Sequence, residues 1–176
     1  MSRMEIDFDQ VAADLTVKGT AELITPDSGR AHEVPDRWRG VLSGVGPEER
    51  KQAALSHWDG DFLAMIPRFA QVLRERLIDV RVFWVKAPKD SFFILVYVVK
   101  HNEDDYVCWM GWDPARTGDA PRFWDTFPDP VQNFLRHTHA GFTATDWESY
   151  GVMQPSEFVT FAESTRQKIS APSSTD

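Results

Sequence analysis

Three β-branched and aromatic runs, set close together in the middle of the chain, constrain the fold more than any other feature. They are Arg81-Val82-Phe83-Trp84-Val85, Phe92 to Lys100, and Tyr106 to Trp112. Only Ala87-Pro88-Lys89-Asp90 and His101-Asn102-Glu103-Asp104-Asp105 separate them, and both connections are turn-like. Connections this short join neighbouring strands of opposite direction, so the pattern predicts an antiparallel meander. The middle run, Phe92 to Val99, is apolar at successive positions, which places it centrally in the sheet with cover on each face.

Around this block the period changes to that of helices. Phe62, Met65, Ile66, Phe69, Val72, Leu73, Arg76 and Leu77 recur at three- and four-residue steps, with Pro67 set to kink or divide the helix. Pro47-Glu48-Glu49 marks a helix start running to about Trp58, with Gly60 as a break. Phe8, Val11, Ala12 and Leu15 predict a short first helix, and Leu15 to Ile24 reads as extended. Pro26-Asp27-Ser28-Gly29 is a turn, after which Arg30 to Val34 reads as a returning strand. Asp113 to Pro121 is a loop, Pro130 to His139 a helix stopped by Gly141, and a last helix begins at Pro155-Ser156-Glu157 with Phe158, Phe161 and Ala162 inward. One meander with several helices predicts a single α+β domain over residues 1–169, followed by a disordered tail at 170–176.

With 176 residues, 42% of them apolar, the chain is long enough for a real core. A net charge of −8 argues against nucleic acid, whose phosphates require clustered lysine and arginine, and against an anionic membrane surface. It favours a basic partner drawn in by long-range attraction. Cys108 is the only cysteine, so no internal disulfide forms. Residues Met1 to Asp14 lack a signal peptide's apolar stretch, and the run Phe92 to Val99 is too short to span a bilayer as a helix. A cytoplasmic protein is expected.

Catalytic patterns are missing: no phosphate-cradling glycine loop, no nucleophile elbow, no paired-cysteine metal site. The expectation is a protein that is not an enzyme and needs no cofactor or metal. His137 and His139, two apart on a helix, point about 200° away from each other and read as solvated groups near a helix end. His101 beside Glu103, Asp104 and Asp105 reads as a solvated turn, Asp59-Gly60-Asp61 as an interhelical break capped by Asp61, and Cys108 as a small core residue. His32 and His57 have no evident acidic partner in sequence.

One segment carries the marks of a binding surface. Between His101 and Asp129 stand seven acids against Arg116 and Arg122, interleaved with Tyr106, Trp109, Trp112, Phe123, Trp124 and Phe127. Aromatic anchors ringed by carboxylates suit a basic protein partner. The candidate contacts are Glu103, Asp104, Asp105, Trp112, Asp113, Asp119, Trp124 and Asp125. The competing reading turns the rings inward and leaves the acids to solvate a loop.

The stretch Phe127-Pro128-Asp129-Pro130-Val131-Gln132-Asn133-Phe134-Leu135-Arg136-His137-Thr138-His139-Ala140-Gly141 resembles the helix signature of the SMI1/KNR4 (SUKH) superfamily, a proline-led helix with an aromatic and a leucine that ends in a polar residue and glycine. Gly151 to Phe158 looks like that family's following strand and short helix start. The resemblance covers about residues 123–162. It implies packing roles for Pro128, Val131, Phe134, Leu135 and Gly141, and no catalytic role. Many bacterial members are immunity proteins that neutralise a toxin made by the same cell, often a nuclease. The resemblance therefore implies an immunity protein that occludes a basic toxin domain. The alternatives are a regulatory or scaffold domain of the same type that binds a housekeeping protein, and a small ligand-binding domain.

Overall fold

Alternation of apolar side chains along three long strands builds the centre of the molecule, and the computed structural model describes residues 5–16, 18–145, 151–160 and 163. The strands are β1 (Thr20–Ile24), β2 (Leu77–Lys86), β3 (Ser91–Lys100), β4 (Tyr106–Trp112) and β5 (Phe142–Ala144). They form one antiparallel sheet in the order β1-β2-β3-β4-β5, so the expected meander is present and β3 is central. The helices are α1 (Phe8–Asp14), α2 (Arg39–Ser43), α3 (Pro47–Leu55), α4 (Gly60–Met65), α5 (Pro67–Arg76) and α6 (Asp129–Asn133). The α+β class follows. The tail at 170–176, with Phe161 and Ala162, lies outside the described residues.

The central strand divides the core between its two faces. Leu95, Tyr97 and Val99 point to the face covered by α2 to α6, where they meet Trp38, Val41, Trp58, Phe62, Leu73 and Phe134. Ile94, Val96 and Val98 point the other way, towards Val11 and Leu15 of the α1 segment. All of Ile94 to Val98 are fully buried, which is why this strand reads as a continuous apolar run.

A bulge in β2 sets a charge into the helical layer. The register against β3 shifts between Leu77 and Asp79, and a bulge re-aims the side chain it carries. Asp79 meets Arg50 of α3: Nε donates to Oδ1 at 2.7 Å and Nη2 to Oδ2 at 2.8 Å. The Arg50 Nη1 group also donates to the Gly44 carbonyl, and Oδ1 of Asp79 also accepts from the Val80 N–H. Both side chains are nearly sealed from water, so this bidentate pair clamps α3 to the sheet.

Several local expectations change. Residues Arg30 to Val34 form no strand; Ala31–Glu33 is a single 3-10 turn, with Arg30 paired to Glu33 and lying 4.0 Å over the Trp84 ring. The longer, more apolar β2 takes the place beside β1. Pro67 divides the long amphipathic segment into α4 and α5, and Leu77 belongs to β2. Asp59, not Asp61, caps α4, accepting from the Asp61 N–H at 2.8 Å. The α6 helix widens into a π turn over Phe134–Thr138 and stops at His139, which is extended, so Gly141 is not the terminator. Pro155–Glu157 is one 3-10 turn, and Phe158 is already extended.

Breaking the clamp from one side should be costly. Arg50→Met strands a buried carboxylate, so urea unfolding should show a loss of about 3–5 kcal/mol, most of which the double variant with Asp79→Leu should recover.

Candidate functional site

Between the helical layer and β4 the core opens into a groove, and a buried polar chain holds its inner wall. Trp58, in the turn after α3, donates from Nε1 to the Tyr97 hydroxyl at 3.1 Å. That hydroxyl lies 2.8 Å from Nε2 of His139, and His139 Nδ1 lies 3.2 Å from the Trp112 carbonyl. A carbonyl only accepts, so Nδ1 carries the imidazole proton and Nε2 accepts from tyrosine. The direction of every bond is thereby fixed, from Trp58 through Tyr97 and His139 to β4.

Burial pushes the Tyr97 hydroxyl up, out of its ordinary range. Burial also drives His139 down to about 3, helped by His57 and Arg37 and opposed by its bond to the Trp112 carbonyl. Both side chains are fully enclosed, so the pair is reached by no substrate and acts as a brace. The ring needs Gly111: a Cβ there would fall 2.6 Å from both imidazole nitrogens. Proton chemistry at Cys108 is likewise suppressed, its thiol being buried and pushed up to about 12.

Outward of this brace, the rings of Trp58, Phe62, Phe69, Trp109, Phe134 and Phe142 surround a cavity of about 340 Å³. Phe69 and Trp109 pass into an adjoining depression floored by Val72, Val99 and Val107. This depression in turn meets another, bordered by Arg76, Lys100, His101, Asn102 and Glu103. The result is a groove along α5 made of three adjoining depressions, the first two divided by the touching Phe69 and Trp109 rings, ring-lined at one end and charged at the β3–β4 turn. Phe69, Val72 and Arg76 fall on one side of α5 through helical spacing, and Val107 and Trp109 share one face of β4 through strand alternation.

The eight candidate contacts do not come together. Glu103, Asp104 and Asp105 lie exposed in the β3–β4 turn, which is ordered by the bonds His101 N–H to Asp105 O and Asp104 N–H to Asn102 Oδ1. Asp113 lies beyond the opposite end of the seven-residue β4, roughly 20 Å away at strand rise, and Asp119 and Asp125 follow it in the chain. Asp113 caps a 3-10 turn by accepting from the Ala115 N–H, 4.0 Å from Arg37. Trp112 is half-buried against Phe92 on the α1 side of the sheet, the face opposite Trp109. Trp124 is 4% exposed, packed between Phe127 and Arg136, and offers no surface to a partner. Apolar burial won over exposure there because the loop folds back on α6.

The two histidines also part company. His137 is exposed, whereas His139 is in the core instead of solvated at a helix end. Among the described residues, no three histidine, cysteine, aspartate or glutamate side chains gather as a metal site. No described helix is long and apolar enough to cross a membrane. The brace was invisible locally, since Trp58, Tyr97 and His139 are 39 and 42 residues apart.

Comparison with protein-family models, curated proteins and solved structures returns no match for this chain.

Two consequences of the brace are measurable. Tyr97→Phe leaves both the indole N–H and the imidazole Nε2 without partners, and chemical denaturation should show a loss of at least about 2 kcal/mol. His139 is neutral when folded but titrates near 6.5 when unfolded, so the unfolded chain takes up the proton first as pH falls. Stability is full above pH 6.5 and falls below it, towards about 1.4 kcal/mol per pH unit. The slope between pH 6.5 and 5 should flatten in His139→Leu.

Proposed function

We propose that this chain is a protein-binding domain of the cytoplasm that neutralises a basic toxin, acting as an immunity protein by occupying the toxin's surface. The observation that carries the reading is the groove along α5 and β4. It presents the partly exposed rings of Phe69 and Trp109, backed by four buried rings, at one end and the exposed Glu103, Asp104 and Asp105 at the other. A groove of this form takes an apolar anchor and fixes its orientation by charge. Arg76 and Lys100 on the rim leave the three carboxylates one charge in excess, and the whole chain is at −8. That sign accelerates encounter with a cationic partner.

The contact set therefore differs from the one the sequence indicated. Glu103, Asp104 and Asp105 remain as steering groups, and Phe69, Val72, Val107 and Trp109 join them. Trp124 leaves the set. The resemblance to immunity proteins of the SUKH superfamily supports the same reading through the helix that supplies Phe134 to the ring-lined cavity.

Co-expression with the polypeptide encoded beside its gene tests this directly. The wild-type chain should form a complex with that polypeptide and restore growth. The triple variant Glu103→Lys, Asp104→Lys, Asp105→Lys should slow association at least about tenfold at low salt. Val72→Glu, at the groove floor, should speed dissociation. Unaltered binding and protection in both variants, each with a wild-type melting curve, would remove the groove from the account.

A further inference from the structure

The ring-lined cavity behind Phe69 and Trp109 is walled on four sides. Its helical wall is the stripe Phe62, Ile66 and Phe69, four and then three residues apart across the break that Pro67 makes between α4 and α5. Its sheet wall is Trp109 of β4 and Phe142 of β5, stacked with centroids 5.4 Å apart and planes 11° from parallel. At its base Phe62 stacks on Phe134 at 4.1 Å, and Trp58 meets Phe142 edge-on at 5.1 Å. The fourth side is the chain at Gly151 and Val152, which runs beside β5. There the Val152 carbonyl accepts from the Phe142 N–H at 2.7 Å, and a Cβ on Gly151 would run into the Phe142 carbonyl. Glycine lets this segment lie close enough on β5 to close the cavity.

The chemistry of the walls is one-sided. Among the described residues, those lining the cavity include no acid, base, hydroxyl or amide side chain. The indole N–H of Trp58 is already used on the Tyr97 hydroxyl. A charged ligand would leave its water here with no group to replace it, whereas an uncharged apolar one loses little. An aromatic ligand gains further by packing offset or edge-on against rings that their own contacts hold in place. Size narrows the class. An apolar cavity of about 150 Å³ takes one benzene ring, and the volume here, about 340 Å³, gives room for two fused rings.

We propose that this cavity is a binding site for a small, uncharged aromatic compound of one or two fused rings, seated between the Phe62–Ile66–Phe69 stripe and the Trp109–Phe142 pair. The site belongs to the chain alone and does not rest on the protein partner proposed above.

The test is an NMR titration of the isotope-labelled full chain with indole and, separately, with indole-3-acetate, which carries the same rings and a carboxylate. Indole should shift the Ile66 and Val152 methyl groups and the Trp58 and Trp109 indole N–H signals saturably, half-complete at or below about 1 mM. The Val41 and Val45 methyl groups should stay unmoved. Indole-3-acetate should bind at least about tenfold more weakly. Val152→Phe fills the cavity from its outer side and Ile66→Phe from its helical side, and each should weaken indole binding about tenfold or more. Either variant serves if the other loses its dispersed spectrum, and the comparison of the two probes on the wild-type chain decides if both do. Shifts that grow linearly with indole, equal affinity for indole-3-acetate, or unchanged binding in the filled variants would overturn the proposal.

Discussion

The hydrogen-bonded chain from Trp58 through Tyr97 and His139 to the Trp112 carbonyl is the interaction on which the rest of the molecule hangs. It joins the turn after α3, the central strand, the segment after α6 and the end of β4 in one line of buried polar atoms. Every donor in it has an acceptor, so the polar groups cost little inside the core and tolerate few other arrangements. Around it the rings are locked: Phe142 stacks on His139 and Trp109, Trp58 meets Phe134 at 5.2 Å, and Phe62 stacks on Phe134 at 4.1 Å. The inner wall of the groove is therefore rigid. A surface that need not reorganise loses less free energy on binding.

Charge is arranged in two ways in this chain. The Arg50–Asp79 pair is internal and positional: it holds α3 over a bulge that a plain apolar contact would not specify. The carboxylates of the β3–β4 turn are external and form no ion pair among the described residues, with Glu103 at the edge of the groove. The first kind holds α3 against the sheet, and the second gives the β3–β4 turn the negative field that would speed the approach of the proposed cationic partner.

The sheet was legible because β-branched and aromatic runs with short polar turns leave few alternatives, and β3 announced its central place by having no polar face. The helices from Pro47 to Arg76 were legible through their prolines and their period. The site was not. Trp109 and Trp112 are three apart in sequence, and strand alternation alone sends them to opposite faces. Yet nothing in the composition of residues 101–129 revealed that β4 holds its two acidic groups apart. Trp124 looked like an anchor because its neighbours are acids, and it is buried because Phe127 and Arg136 close over it. His139 looked like an exposed helix-end residue because a regular helix was assumed. The π turn at Phe134–Thr138 instead swings it onto Tyr97, a contact 42 residues distant that no local pattern encodes.

The central claim is that a partner lies along α5 and β4, with its charged side at the β3–β4 turn. Hydrogen exchange of the chain alone and in its complex measures this without altering a residue. Slowed exchange at residues 100–107 and at the start of α5, with residues 113–125 and α1 unchanged, is the predicted result. Slowing confined to residues 113–125 or to α1, with the β3–β4 turn exchanging as before, would contradict it.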